Sequence, residues 1–256
     1  RVAKRGWTVL GGTLIQYVSM PLIAYAMVRF FNIEGPWAIG VMMAGCVPGA
    51  MASNVLTLMA RGNASYSVGL TTSATLLSPL IVPWALRISL QQEVPNFPVE
   101  QTFVQLCYMV VGPVILGHCL SHPFEQVRRF MKVAGPIVAN LAILWVIVVI
   151  IGQKRAMLAD IPGAVFAALV IMNACGYACG FFGGKTMRLD RPMRRALTLE
   201  VGMQNAGLGA VLASDLFPDT PAAVPTVVYM FGCMLTGTVL ARVWAELSNR
   251  ESEIEG

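Results

Sequence analysis

The chain has 256 residues, of which 56% are hydrophobic and 12% charged, with a mean hydropathy of +0.67. Soluble domains carry about 25% charged residues, so these figures exclude a soluble globular protein and predict an all-α integral membrane protein. The formal charge of +5 is no argument for nucleic acid, because the basic residues sit in short connections between apolar stretches.

Apolar stretches of about 20 residues, the length that crosses a bilayer as a helix, occur at 8–28, 37–60, 66–88, 102–120, 135–152, 161–183, 196–214 and 225–247. The first carries Gln16 and a Met20-Pro21 pair. The second is broken: Pro48 and Gly49 interrupt the hydrogen-bond ladder, and the break runs on to Ser53-Asn54. The third places Ser67, Thr71 and Thr75 on one helix face at i,i+4 spacing, with Thr72 and Ser73 beside them. Gly112-Pro113 in the fourth and Gly135-Pro136 in the fifth predict simple kinks, and His118 and His122 form no metal-ligand pattern. In the sixth, Cys175 and Cys179 lie on one face without a partner pair, as small buried packing residues do. The seventh is broken again, at Gly202 with Gln204-Asn205 after it, and it contains Glu200.

The basic residues orient these spans. With the N-terminus inside, the inner side holds Arg1, Lys4, Arg5, Arg61, Arg128, Arg129, Lys132, Lys185, Arg188, Arg191, Arg194, Arg195, Arg242 and Arg250. The outer side holds Arg29, Arg87, Lys154 and Arg155. That bias predicts a multi-pass cell-membrane protein with both termini of this chain in the cytoplasm.

Each broken span lies between two continuous ones, so spans one to three and six to eight read as copies of one unit. Spans four and five precede the second copy and nothing precedes the first. An odd number of helices per repeat inverts one copy against the other, as in many secondary transporters. Two further helices are therefore expected before Arg1, giving an inverted-repeat transporter fold in which eight spans are present here and the two broken ones cross.

Glu200 is the only one of the 13 acids inside a span. A carboxylate at that depth costs several kcal/mol unless something compensates it, and no span interior supplies a Lys or Arg. Ser53, Asn54, Gln204, Gln16 and the hydroxyls of span three supply neutral oxygens instead. Oxygen donors without His or Cys suit Na⁺ rather than a transition metal. A single hydroxyl at membrane depth usually bonds its own i−4 carbonyl; the grouping around a carboxylate is what carries this reading.

At Gly45-Cys-Val-Pro-Gly-Ala-Met-Ala-Ser-Asn-Val-Leu-Thr57, Ser67-Val-Gly-Leu-Thr-Thr-Ser-Ala-Thr-Leu-Leu-Ser-Pro79 and Glu200-Val-Gly-Met-Gln-Asn-Ala-Gly-Leu208 the chain resembles the bile acid:sodium symporter family. Gln16 and Met20-Pro21 fit as well. The resemblance implies a fold of about ten helices in two inverted repeats, split into a core domain (here 1–92 and 156–256) and a panel domain (here 101–155). It implies two coupling Na⁺ ions that share one carboxylate. The first would use Ser53, Asn54, Ser67, Thr71 and Glu200; the second Gln16, Glu200, Gln204 and the carbonyls of Val201 and Met203. Asn205 would face the substrate.

The chain departs from many bile-acid-transporting members in having Gly49-Ala50-Met51 for Gly-Gly-Thr and Cys233-Met234 for His-Asn. Both changes put apolar or softer groups beside the expected substrate cavity, at Met51, Cys233 and Met234. The expected activity is sodium-coupled symport of an organic anion that is bile-acid-like, a keto acid or pantoate-like. Proton coupling through Glu200 and a non-transporting membrane sensor are the alternatives. An enzyme is not expected, because no nucleophile elbow, His-rich cluster or paired carboxylate lies at depth.

Overall fold

The structure is a computed structural model that describes residues 2–121 and 155–254, with scattered positions between 134 and 152. The span expected at 135–152 lies outside the described residues except at those positions, as do Arg1, His122, Arg128, Arg129, Lys132 and Lys154.

The described chain is helical. α1 (Val2–Phe30) is continuous through Pro21, and α2 (Gly35–Cys46) and α3 (Ala52–Met59) are two halves of the first broken span. α4 (Ala64–Ser89) starts where the Asn63 side chain accepts the Tyr66 amide at 3.0 Å. α5 (Val99–Leu106) and α6 (Gly112–Ser121) are joined by a π turn over Cys107–Val111. Pro113 has no amide to give, and the wide turn before it, closed by Gly112 N–H on Cys107 O, absorbs the interrupted ladder. After α7 (Arg155–Ala159) come α8 (Gly163–Thr186), the broken pair α9 (Arg191–Gly202) and α10 (Ala206–Leu216), and α11 (Ala223–Ile254). Long helix, broken pair, long helix is thus the order in both halves.

Five described segments are long and apolar enough to cross a membrane: Gly6–Phe30, Ala64–Ser89, Val99–Gly117, Gly163–Thr186 and Ala223–Arg250. Gly35–Cys46 and Ala206–Leu216 are shorter apolar helices, as half-spans should be. The seventh span starts at Arg191, ahead of the expected residue 196, because the Asp190 carboxylate accepts the Met193 amide at 2.8 Å and Pro192 fits the first turn.

Packing follows side-chain size. On α1, Leu10, Leu14, Val18 and Leu22 form an exposed apolar row at i,i+4 spacing, while Gln16, Met20 and Ala24 are buried on the other face. A row of that kind suits lipid, and the opposite face suits the bundle. Gly176, Gly180 and Gly184 line the buried face of α8. A Cβ on Gly180 would stand 2.7 Å from the Leu197 carbonyl oxygen, so α8 and α9 approach backbone to backbone. Met42, Met43, Leu70, Leu197, Leu199 and Met203 fill the centre and are almost fully buried.

Candidate functional site

The two breaks meet. α2 ends at Cys46 because Val47 is extended (φ −70°, ψ 160°), and α9 ends at Gly202 because Met203 is extended (φ −109°, ψ 104°). Extended chain in the hydrocarbon layer must pair with something. Here each break pairs with the other: Ala50 N–H donates to Met203 O at 2.8 Å and Asn205 N–H to Pro48 O at 2.7 Å, an antiparallel bridge between Gly49 and Gln204. The C-terminal ends of α2 and α9 and the N-terminal ends of α3 and α10 therefore all lie at one crossing. Carbonyl ends favour cations and amide ends favour anions.

Glu200 sits in this crossing with no exposed surface. Its Oε2 accepts the Ser53 hydroxyl at 2.5 Å and the Thr71 hydroxyl at 2.8 Å. Its Oε1 is buried without a hydrogen-bond partner. Gly49 lies against that oxygen: a Cβ there would stand 2.2 Å from it. Thr71 Oγ1 is also 3.3 Å from Asn54 Oδ1 and 3.1 Å from Ser67 O, so one proton faces three acceptors. Ser67 is buried and its Oγ accepts the Thr57 hydroxyl at 3.2 Å. Thus Ser53, Asn54, Ser67, Thr71 and Glu200, expected together from the sequence, gather from α3, α4 and α9.

The second expected group is also buried here. Gln204 Nε2 donates to Val201 O at 2.7 Å, whereas Gln204 Oε1 has no partner. Both polar atoms of the Gln16 side chain are buried and unpartnered. Gln16 lies one helical turn from Gly12, which abuts Leu70 and Leu197, and one from Met20, which abuts Gly45 and Gly176. It therefore belongs to the α1 face that packs on α2, α4, α8 and α9. Met203 O is held by Ala50 N–H. A buried polar group left unpaired costs about 1–3 kcal/mol, and more when charged. Glu200 Oε1, Gln204 Oε1 and Gln16 Oε1 are three such acceptors, and all three are ligands that a hard cation takes.

The four expected substrate residues are spread out. Asn205 is half-buried, its side chain accepting the Leu208 amide at 3.2 Å as the cap of α10. Met51 is exposed just before α3. Cys233 is 1% exposed, its thiol donating to Met230 O, while its neighbour Met234 is 39% exposed.

A hydrogen-bond network missing from the sequence reading braces the second break. The carbonyl of Gly202 accepts from Asn173 Nδ2 at 2.8 Å and from Tyr229 Oη at 2.9 Å. Thr236 Oγ1 donates to Asn173 Oδ1 at 2.8 Å, and Tyr177 Oη lies 3.1 Å from Thr236 Oγ1. Asn173 is an amide within an apolar span, the same signal that marked Gln16, yet nothing in its own neighbourhood said which carbonyl it would hold. Thr57 was likewise unmarked, lying one turn past Ser53.

Residues 1–161 match the family model described as Sodium Bile acid symporter family. The chain is 32% identical, over 96% of its length, to the uncharacterized sodium-dependent transporter YocS of Bacillus subtilis, of which it covers 76%. It is 29% identical, again over 96% of its length, to the probable sodium/metabolite cotransporter BASS1, chloroplastic, of Arabidopsis thaliana, of which it covers 61%. To the human sodium/bile acid cotransporter 4 it is 28% identical over 84% of its length, covering 50% of that protein. The names of these relatives describe sodium-dependent transport or sodium cotransport.

Proposed function

The chain belongs to the sodium bile acid symporter family, and from that premise we propose that it carries an organic anion by symport with two Na⁺ ions bound at the crossed breaks. The observation that carries this reading is Glu200: a fully buried carboxylate whose hydrogen-bond donors are two neutral hydroxyls on one oxygen.

One ion would be held by Ser53, Asn54, Ser67, Thr71 and Glu200. The other would be held by Gln16, Glu200 and Gln204 with the carbonyls of Val201 and Met203. Bound Na⁺ supplies the charge that an isolated carboxylate lacks at this depth. The protein supplies oxygen donors in a fixed frame, so binding need not desolvate them anew. Two monovalent cations over one carboxylate leave the crossing positive, and the N-terminal ends of α3 and α10 add to that field. An anion is then the natural passenger. Bile-acid-like molecules, keto acids and pantoate-like molecules are its proposed class, met by Asn205, Met51 and Met234 with Cys233 behind them. Alternating access would rock a core (1–92 and 156–256) against a panel (101–155) in a ten-helix inverted-repeat frame, with both ends of this chain on the cytoplasmic side of the cell membrane.

The test is thermal unfolding of the full-length protein in NaCl against choline chloride at one ionic strength. The expected result is a higher melting temperature in Na⁺ that disappears in Glu200→Gln. A protein indifferent to the cation, or a Glu200→Gln variant that keeps the Na⁺ response, overturns the reading. A response that follows pH and not Na⁺ would favour proton coupling.

A further inference from the structure

A second charged site lies away from the crossing, at the end of the bundle where α8 finishes, α9 begins and α11 leaves the apolar layer. A cavity of about 320 Å³ opens there, lined by Arg191, Arg194, Arg195 and Arg250 and by the rings of Phe181 and Trp244. The guanidinium of Arg194 stacks over Phe181 at 5.0 Å and that of Arg195 over Trp244 at 5.8 Å. Arg195 also donates to Ala60 O and to Ser248 Oγ, both at 2.8 Å. Stacking and these bonds hold the guanidinium groups of Arg194 and Arg195 in place. Planar guanidinium groups fixed in this way match phosphate oxygens two at a time.

The position of the cavity selects the kind of phosphate. The spanning segments Gly163–Thr186 and Ala223–Arg250 both end here, so the rings lie where hydrocarbon gives way to headgroups. Leu247 on the wall, and exposed Phe182 edge-on against the Phe181 ring, add apolar surface beside the arginines. A free anion has no use for that surface; an acyl chain does. The first turn of α9 adds its amide end to the same field.

Charges on the surrounding elements fit as well. Lys185 closes α8. Asp190 is engaged in capping α9 at Met193 N–H, and Glu246 pairs with Arg242 at 3.5 Å. The competing anions in sequence are Glu251, Glu253 and Glu255, which follow Arg250.

We propose that this cavity binds the headgroup of an anionic glycerophospholipid, with the phosphate between Arg194 and Arg250 and an acyl chain along Phe181 and Leu247. Such basic pockets between membrane helices suit anionic lipid. The site is independent of the sodium reading and rests on none of its residues.

The experiment is thermal unfolding of the full-length protein in detergent with dioctanoyl phosphatidylglycerol, dioctanoyl phosphatidylcholine or inorganic phosphate. Phosphatidylglycerol is expected to raise the melting temperature by about 3 °C near saturation, with little response to the other two. Arg194→Gln/Arg250→Gln should lose most of that rise, whereas Arg242→Gln, on the same helix outside the cavity, should keep it. Should the double variant fail to fold, brominated phosphatidylglycerol provides a second readout. It should quench the wild-type chain more than Trp244→Phe, and brominated phosphatidylcholine should not. Equal responses to both lipids, a full response to inorganic phosphate alone, or an unchanged double variant overturns the proposal. So does a response seen only once Glu251, Glu253 and Glu255 are replaced by Gln, since the cavity would then belong to the chain's own acidic end.

Discussion

The two breaks reach similar geometry by different means. In the first, residues of the break itself favour it: Pro48 has no amide to continue α2, and Gly49 lets the chain lie against the Glu200 carboxylate. The second has no proline. It stays open because Asn173 and Tyr229 hold the Gly202 carbonyl, Gln204 holds the Val201 carbonyl and Asn205 caps α10. One break is written into its own residues, and the other leans in addition on α8 and α11. Damage to the second break should therefore come from a distance, whereas the first should tolerate loss of its proline while the inter-break bonds remain.

The largest effect is expected at Gly49, where the first break touches the carboxylate. Gly49→Ala puts a carbon 2.2 Å from Glu200 Oε1 and 2.7 Å from Cδ, so backbone or carboxylate must move. We expect a loss of about 3 kcal/mol together with the Na⁺-dependent rise in melting temperature. A Gly49→Ala protein with a normal Na⁺ response would show that the close approach is not required.

Next comes the brace of the second break. Asn173→Ala removes one donor to Gly202 O and leaves Thr236 Oγ1 without its Asn173 acceptor, a loss of about 2 kcal/mol. Because Asn173 and Tyr229 serve one carbonyl, Asn173→Ala and Tyr229→Phe should be non-additive by about 1 kcal/mol in a double-mutant cycle. Additivity would mean that the two donors do not work as one brace.

Thr57→Val should cost about 1 kcal/mol, the worth of one hydrogen bond to Ser67. It should also weaken the Na⁺ response without abolishing it, as titration of NaCl against melting temperature would reveal. The smallest effect belongs to Pro48→Ala, at about 0.5 kcal/mol through the freer unfolded chain. The Asn205 N–H bond goes to the carbonyl of residue 48, which alanine keeps. If Pro48→Ala proves costlier than Asn173→Ala, the first break depends on its proline more than on the bonds between the breaks.

Both breaks were legible in the sequence because each violates the rules of a lipid-spanning helix within a few residues: Pro48-Gly49 in one, Glu200 and Gln204-Asn205 in the other. Glu200, Ser53 and Thr71 stood out for the same reason, as polar atoms where apolar ones belong. The start of α9 was hidden, because Arg191, Arg194 and Arg195 look like a loop by hydropathy and only the Asp190 cap reveals the helix. The inward turn of Cys233 and the outward turn of Met234 depend on how α11 is rotated, which packing decides. The bracing of Gly202 by Asn173 and Tyr229 joins positions far apart in sequence, and neither residue names its partner locally.

The bridge between Gly49 and Gln204 has a consequence for how this centre ages under mutation. What crosses there is main chain, and its two donors are the amides of Ala50 and Asn205. Every amino acid except proline carries such an amide. Drift at those two positions can change size, polarity or charge without removing either bond, so the junction survives alterations that would end a side-chain contact. Only an imino acid at residue 50 or 205 deletes a donor outright.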